Sequence, residues 1–117
     1  MRRNIPLVVF TTLCVSACVE SPPEIGSGLP RNFREARPYF DQRVKERFPV
    51  GSDETRLLAE LRRQHFAIGN PGDPSRYSNS ATYEASQIVC RLTWIVSWNA
   101  EEGRIKDIAG IYLDACL

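Results

Sequence analysis

Hydrophobic positions recur along this chain with three different spacings, and each spacing predicts a different kind of element. The first is unspaced. After the short basic start Met1-Arg2-Arg3-Asn4, residues Ile5 to Val15 form an apolar run of eleven, broken only by Pro6 and two threonines. A helix needs about twenty such residues to cross a bilayer core, so the run predicts an export segment rather than a membrane span. The second spacing is helical. Phe40, Val44 and Phe48 fall at i, i+4 and i+8 and predict an amphipathic helix stopped by Pro49 and Gly51. Pro38 suits the first turn of that helix. Asn32 to Glu35 also has the form of a capping box for an earlier turn, so residues 31–37 stay open between the two. Leu57, Leu58 and Leu61 predict a second helix, with Ser52 as its N-cap. Asp53 and Glu54 fall in its first turn and Arg62 and Arg63 in its last, where the helix dipole favours each sign of charge.

The third spacing is two. Between Gln87 and Trp98 the even positions are Ile88, Cys90, Leu92, Trp94, Val96 and Trp98, which predicts a strand with one buried face. Its odd positions, Val89, Arg91, Thr93, Ile95 and Ser97, form a less apolar face. The tip from Asn99 to Gly103 turns the chain, with Gly103 suited to positive φ, and a second strand returns over about Arg104 to Leu113. Its apolar residues fall on both parities, which admits a bulge near the turn. Phe66-Ala67-Ile68 reads as a short strand, and residues 69–80 as an aperiodic, turn-rich loop. This order predicts an α+β fold, two N-terminal helices packed on a small three-stranded antiparallel sheet that ends in a C-terminal hairpin.

Composition changes the picture only at the N-terminus. Residues 1–17 read as a cleaved leader, residues 18–30 as the start of the mature chain and a flexible tether, and residues 31–117 as one domain. Seven of the twelve residues from Val19 to Pro30 are Ser, Pro or Gly, and a free coil of that length spans roughly 20 Å. Removing the leader takes away Arg2 and Arg3 and leaves 13 basic against 14 acidic residues, a net charge of −1. That balance offers no electrostatic footprint for nucleic acid. Residues 31–47 are locally basic, with Arg31, Arg34, Arg37, Arg43, Lys45 and Arg47 against three acids. They read as a solvated helix face, with contact to anionic headgroups as the alternative.

Cys14 and Cys18 lie four positions apart. A metal half-site needs further ligands nearby, and none is there; a redox pair is C-x-x-C. Val15-Ser16-Ala17-Cys18 instead resembles the lipobox of bacterial lipoprotein precursors. That resemblance implies cleavage before Cys18, diacylation of its thiol and a lipid-anchored protein of the bacterial envelope. With Val19 rather than aspartate next, it implies the periplasm-facing outer membrane.

The remaining cysteines, Cys90 and Cys116, sit on strands that antiparallel pairing brings side by side. In an exported protein they predict a disulfide, against the alternative of Cys90 as nucleophile with His65, the only histidine, as its base. Trp94 and Trp98 share the parity of the buried positions and read as core rather than a stacking platform. His65 reads as a helix C-terminal residue, and Glu101-Glu102 as a solvated turn rather than a glycosidase pair. No nucleophile, base and orienting group can be named together. The chain therefore reads as non-catalytic, without metal, cofactor or small-molecule substrate.

In its order of elements the chain, over about residues 38–115, resembles the small envelope lipoproteins of the BamE/OmlA type. These share the lipobox, two N-terminal helices and a three-stranded sheet. Gly51 matches the glycine that introduces the second helix there. Gln64-His65-Phe66 departs from that family's Leu-Gly-x-Pro turn, so no partner-binding residue is carried over. The expected role is that of a structural or adaptor lipoprotein that binds an envelope protein, with Val89, Arg91, Thr93 and Ile95 as the partner face. The alternative is an inhibitor or immunity-type lipoprotein that blocks a hydrolase with the loop 69–80.

Overall fold

Asn32 opens the first helix: its side chain accepts a hydrogen bond from Arg34 N at 2.9 Å, and α1 runs from Phe33–Arg47. The helix continues through Pro38, so residues 33–37 of the open segment belong to it, although Pro38 supplies no N–H for its helical bond. The reason is tertiary. Ala36 on one side of Pro38 and Phe40 and Val44 on the other are fully buried, and Pro38 itself faces solvent. Helix α2 (Glu54–Arg63) begins one residue later than expected, because Asp53 rather than Ser52 is its N-cap, accepting from Thr55 N at 2.9 Å. Both residues are tied to the C-terminal strand ahead of the helix: Ile105 N donates to Ser52 O, and the extended Asp53 pairs with Arg104 as an isolated bridge.

The structure is a computed structural model that describes residues 4–6, 20–69 and 76–117. The sheet has four strands in the order β1 (Ala67–Gly69), β2 (Asn79–Ser86), β3 (Cys90–Glu101), β4 (Arg104–Cys116), all antiparallel. The α+β class, the two helices and the C-terminal hairpin are as expected, but the sheet has one strand more. That strand is β2. Its inward residues include Ala81 and Ala85, so no large apolar alternation announces it. Its start at Asn79 takes two residues from the expected loop, and Gly69 ends β1; residues 70–75 of that loop lie outside the described residues.

Register fixes the two faces. Leu92, Trp94, Val96 and Trp98 of β3 point to the helices with Ala81 and Ala85 of β2 and Ile108, Gly110 and Tyr112 of β4. The bulge admitted near the turn is present: Asn99 pairs with Asp107 but Ala100 with Ile105, leaving Lys106 as the extra residue of β4. The bulge resolves the mixed parity, since Ile105 before it and Ile108 after it are both buried. Glu102 and Gly103, at φ 53° and 74°, form the two-residue turn. Ile88 is the exception to the predicted alternation. It is 83% exposed, because β3 starts only at Cys90 and Ile88 lies in the β2–β3 connection.

The core includes an aromatic row. Tyr83, Trp94 and Tyr112 are register partners across three strands, with Trp94 stacked on Tyr112 at 5.3 Å and edge-on to Tyr83 at 5.8 Å. Phe33 extends the row from α1 and Phe66 from the end of α2.

Residues 20–30, expected to be a free tether, are packed on this core. Glu24–Gly26 form a 3-10 turn and Ile25 is 2% exposed. Proline, serine and glycine suit such a strap because it changes direction often; what attaches it is Ile25, the one large apolar residue among Glu24, Ile25, Gly26 and Ser27. Burying such a side chain contributes roughly 1.5–3 kcal/mol.

Candidate functional site

Cys18 and the rest of the lipobox lie outside the described residues. The described chain resumes at Glu20, and the strap that follows is tied to three elements, β2, α1 and α2. Glu20 N donates to Ser86 O at 3.2 Å, and Ser86 N donates to the Glu20 carboxylate at 3.1 Å. Tyr83 Oη donates to Ser21 O, and Ile25 N donates to the buried Gln64 Oε1 at 2.8 Å. Arg43 donates to the carbonyls of Ile25 and Ser27. Glu24 pairs with Arg63 of α2 and Arg47 of α1. Gln64 Nε2 donates in turn to Glu60. Arg63 and then Gln64 hold the Glu60 carboxyl down at about 2, because both donate to its charged form; Glu60 and then Glu24 raise Arg63 in turn.

Four of the six cations in residues 31–47 are therefore engaged within the molecule: Arg37 with Asp114 and Tyr112 O, Arg43 with the strap, Lys45 with Asp41 and Arg47 with Glu24. This basic segment is largely a stapling device for the strap and for β4.

The cysteine pairing is present. Cys90 and Cys116 are direct register partners with Cα atoms 4.0 Å apart and a disulfide between them, so Cys90 carries no free thiol to act as a nucleophile. The other polar and aromatic residues singled out in the sequence have structural assignments. Asp53 caps α2, Glu54 accepts the Trp98 indole N–H at 2.8 Å, and Glu102 is in the hairpin turn. His65 has φ 66°; its N–H donates to Arg62 O and that of Phe66 to Leu61 O, the Schellman closure of a helix. Trp94 and Trp98 are both core residues, 2% and 1% exposed. No cluster of three metal-ligating side chains occurs among the described residues, and no helix among them is long and apolar enough to cross a membrane.

The expected partner face divides in two. Arg91, Thr93 and Ile95 lie on the sheet face opposite the helices, where Thr93 pairs with Leu113 and Ile95 with Ile111. Leu113 and Ile111 are 45% and 37% exposed, and no described helix or strand packs on them. Val89 is not on that face. It lies with Ile88 in the β2–β3 connection, half exposed at the end of the sheet where Glu20 is bonded. Sequence reasoning missed the strap and Gln64, because an exposed-type residue buried by a contact 39 positions away leaves no local signal. It missed Leu113 and Ile111 as members of the outer face because the bulge hides their parity.

A cleft of about 280 Å³ runs beneath the strap, lined by Pro22, Pro30, Phe33, Trp94 and Tyr112 among others. Trp94 Nε1 is buried without a hydrogen-bond partner among the described residues, and a Cβ on Gly26 would come within 2.5 Å of it. Such an orphaned donor costs about 1–3 kcal/mol, which the stacking of the ring on Tyr112 and Tyr83 offsets in part. No family model matches this chain, and neither a curated protein nor a solved structure matches it.

Proposed function

We propose that this protein is a lipid-anchored envelope lipoprotein whose role is to bind another envelope protein, without chemistry of its own. The address comes from the lipobox resemblance of residues 15–18. The binding role is carried by one observation: the outer sheet face presents a cross-strand patch of Thr93, Leu113, Ile95 and Ile111 that no described element covers. Partly exposed apolar side chains in one contiguous patch mark interaction surfaces more often than chance scatter does. Arg91 borders the patch and supplies a hydrogen-bonding rim.

A photo-cross-linking residue placed at Leu113 or Ile111 in the native host is expected to trap a discrete envelope protein, and Ile111→Glu to abolish the capture. Capture that survives Ile111→Glu, or that reports only bulk protein, overturns the adaptor role. A second reading is favoured by the antiparallel pairing of β1 and β2, which holds Gly69 and Ser80, the two ends of their connection, side by side; a loop anchored in this way suits an inhibitor. Deleting 70–75 leaves adaptor capture intact, whereas loss of all binding on that deletion moves the function to the inhibitor class.

A further inference from the structure

The β2–β3 connection breaks the rules of its own turn. Gln87 N donates to Cys90 O at 2.7 Å, which leaves Ile88 and Val89 as the two loop residues. Such positions ordinarily hold Gly, Asn or Asp, whose backbones tolerate the turn and whose side chains tolerate water. Here both are β-branched and apolar, 83% and 57% exposed. Leu117 adds a third exposed apolar side chain, tied beside them by its N–H to Val89 O at 2.8 Å. The Cys90–Cys116 bridge lies immediately behind this tip and holds its two strands together. Local consistency fails in this way where a residue serves something other than the fold.

The chain outside the described residues says what that is. Glu20 is bonded on both its backbone and its side chain to Ser86, two residues before Ile88. Cys18 is two residues before Glu20, no more than about 7 Å of extended chain. Chain geometry therefore puts the acylated sulfur within roughly 20 Å of the tip. With the strap packed rather than free, an anchor so close turns this end of the sheet toward the bilayer. Charges at this end are mixed: Arg31, Arg34, Arg37 and Arg91 stand against Glu20, Glu84 and Asp114, with Arg37 paired to Asp114, so apolar contact rather than headgroup charge is the attraction.

We propose that Ile88 and Val89, with Leu117 beside them, form a tip that inserts into the interfacial layer of the membrane to which Cys18 is anchored. The inference rests on the lipid-anchored reading and adds to it an orientation: β3 and β4 stand away from the bilayer with the Glu102-Gly103 turn outermost, and the outer sheet face is presented sideways to a partner. Losing one such side chain weakens interfacial partitioning by about tenfold.

The test uses the lipidated protein purified from a bacterial host and reconstituted in phosphatidylethanolamine–phosphatidylglycerol vesicles whose acyl chains carry bromine. Intact mass establishes first that Cys18 is acylated and that Cys90 and Cys116 are bridged. Tryptophan fluorescence of Ile88→Trp, after subtraction of the wild-type signal from Trp94 and Trp98, is expected to be quenched several-fold more than that of Glu102→Trp at the far turn. Raising the salt is expected to leave this quenching unchanged. Equal quenching of the two variants on an acylated protein overturns the tip and leaves the anchor standing. Quenching abolished by salt overturns it in favour of headgroup electrostatics. An unacylated Cys18 overturns the anchor reading, and the tip with it.

Discussion

His65 occupies the left-handed backbone region at the C-terminus of α2, a conformation that costs an ordinary L-residue about 1–2 kcal/mol. Glycine removes the Cβ clash and loses more entropy on folding, so His65→Gly is expected to stabilise the domain by about 1 kcal/mol. Urea unfolding checks it; a destabilised variant indicates that the imidazole makes a contribution beyond helix closure. Gly110 is the opposite case. A Cβ there would lie 2.7 Å from Val44 Cγ2, 3.0 Å from Phe40 O and 3.1 Å from Asp41 Cα, so α1 itself has to move. Gly110→Ala is expected to destabilise by about 2 kcal/mol, read as a lower urea midpoint. Gly110 N also donates to Asp41 Oδ1 at 3.0 Å, a contact that a displaced helix loses. At this scale, the buried parity of Leu92 to Trp98, the positive φ of Gly103 and the Cys90–Cys116 pairing were legible in the chain. The N-cap was displaced from Ser52 to Asp53 because Ile105, 53 positions on, claims the Ser52 carbonyl.

Among the elements, the strap over residues 20–30 depends most on long-range contacts. Glu60 links it to α2 through Gln64 and Arg63. The folded-state carboxyl lies near 2 against an ordinary 4.5, so its contribution is present above about pH 4.5 and is lost as the pH falls from there toward 2. Glu60→Gln is expected to flatten the stability curve in that window and leave it parallel to wild type above it, measured by urea midpoints across pH. The hairpin β3–β4 depends on its disulfide, with a sequence separation of 26. A loop of that length corresponds to about 3.5 kcal/mol in the chain-entropy account. The double variant Cys90→Ser, Cys116→Ser is expected to lose up to that amount, with exchange protection falling first at the Ile88–Cys90 end; uniform loss instead means that the bridge acts on the unfolded chain alone. Pro38 is the element-level surprise. Its ring is tolerated in α1 because tertiary burial of Ala36, Phe40 and Val44 outweighs a missing hydrogen bond worth about 1 kcal/mol.

For the whole molecule, the arrangement of edges decides which surfaces are left for a partner. An open strand edge invites pairing with other chains. The outer edge of β4 is occupied along much of its length. The chain between the helices bonds Ile105 on both its N–H and its carbonyl, Asp41 accepts from Gly110 N, and Arg37 donates to Tyr112 O. Edge-to-edge augmentation at β4 is thereby blocked, which leaves the three-residue edge β1 and the outer face of the sheet, the larger surface of the two. A peptide partner is accordingly expected to protect amides near Leu113 and Ile111 through side-chain cover rather than by extending the ladder. Backbone exchange data on the complex check this.

The chain's own periodicities set two amphipathic helices and a strand pair, because burial on one face imposes a period that the residues carry locally. The small-residue strand β2, the packed strap, the uninterrupted α1 and the outward turn of Ile88 were decided only in three dimensions. Partners on other elements decide them: Ala81 and Ala85 pack because β3 lies beside them, and Ile25 because Gln64 and Arg43 hold its backbone. Periodicity records which residues avoid water, whereas tertiary contacts settle which neighbours they avoid it with.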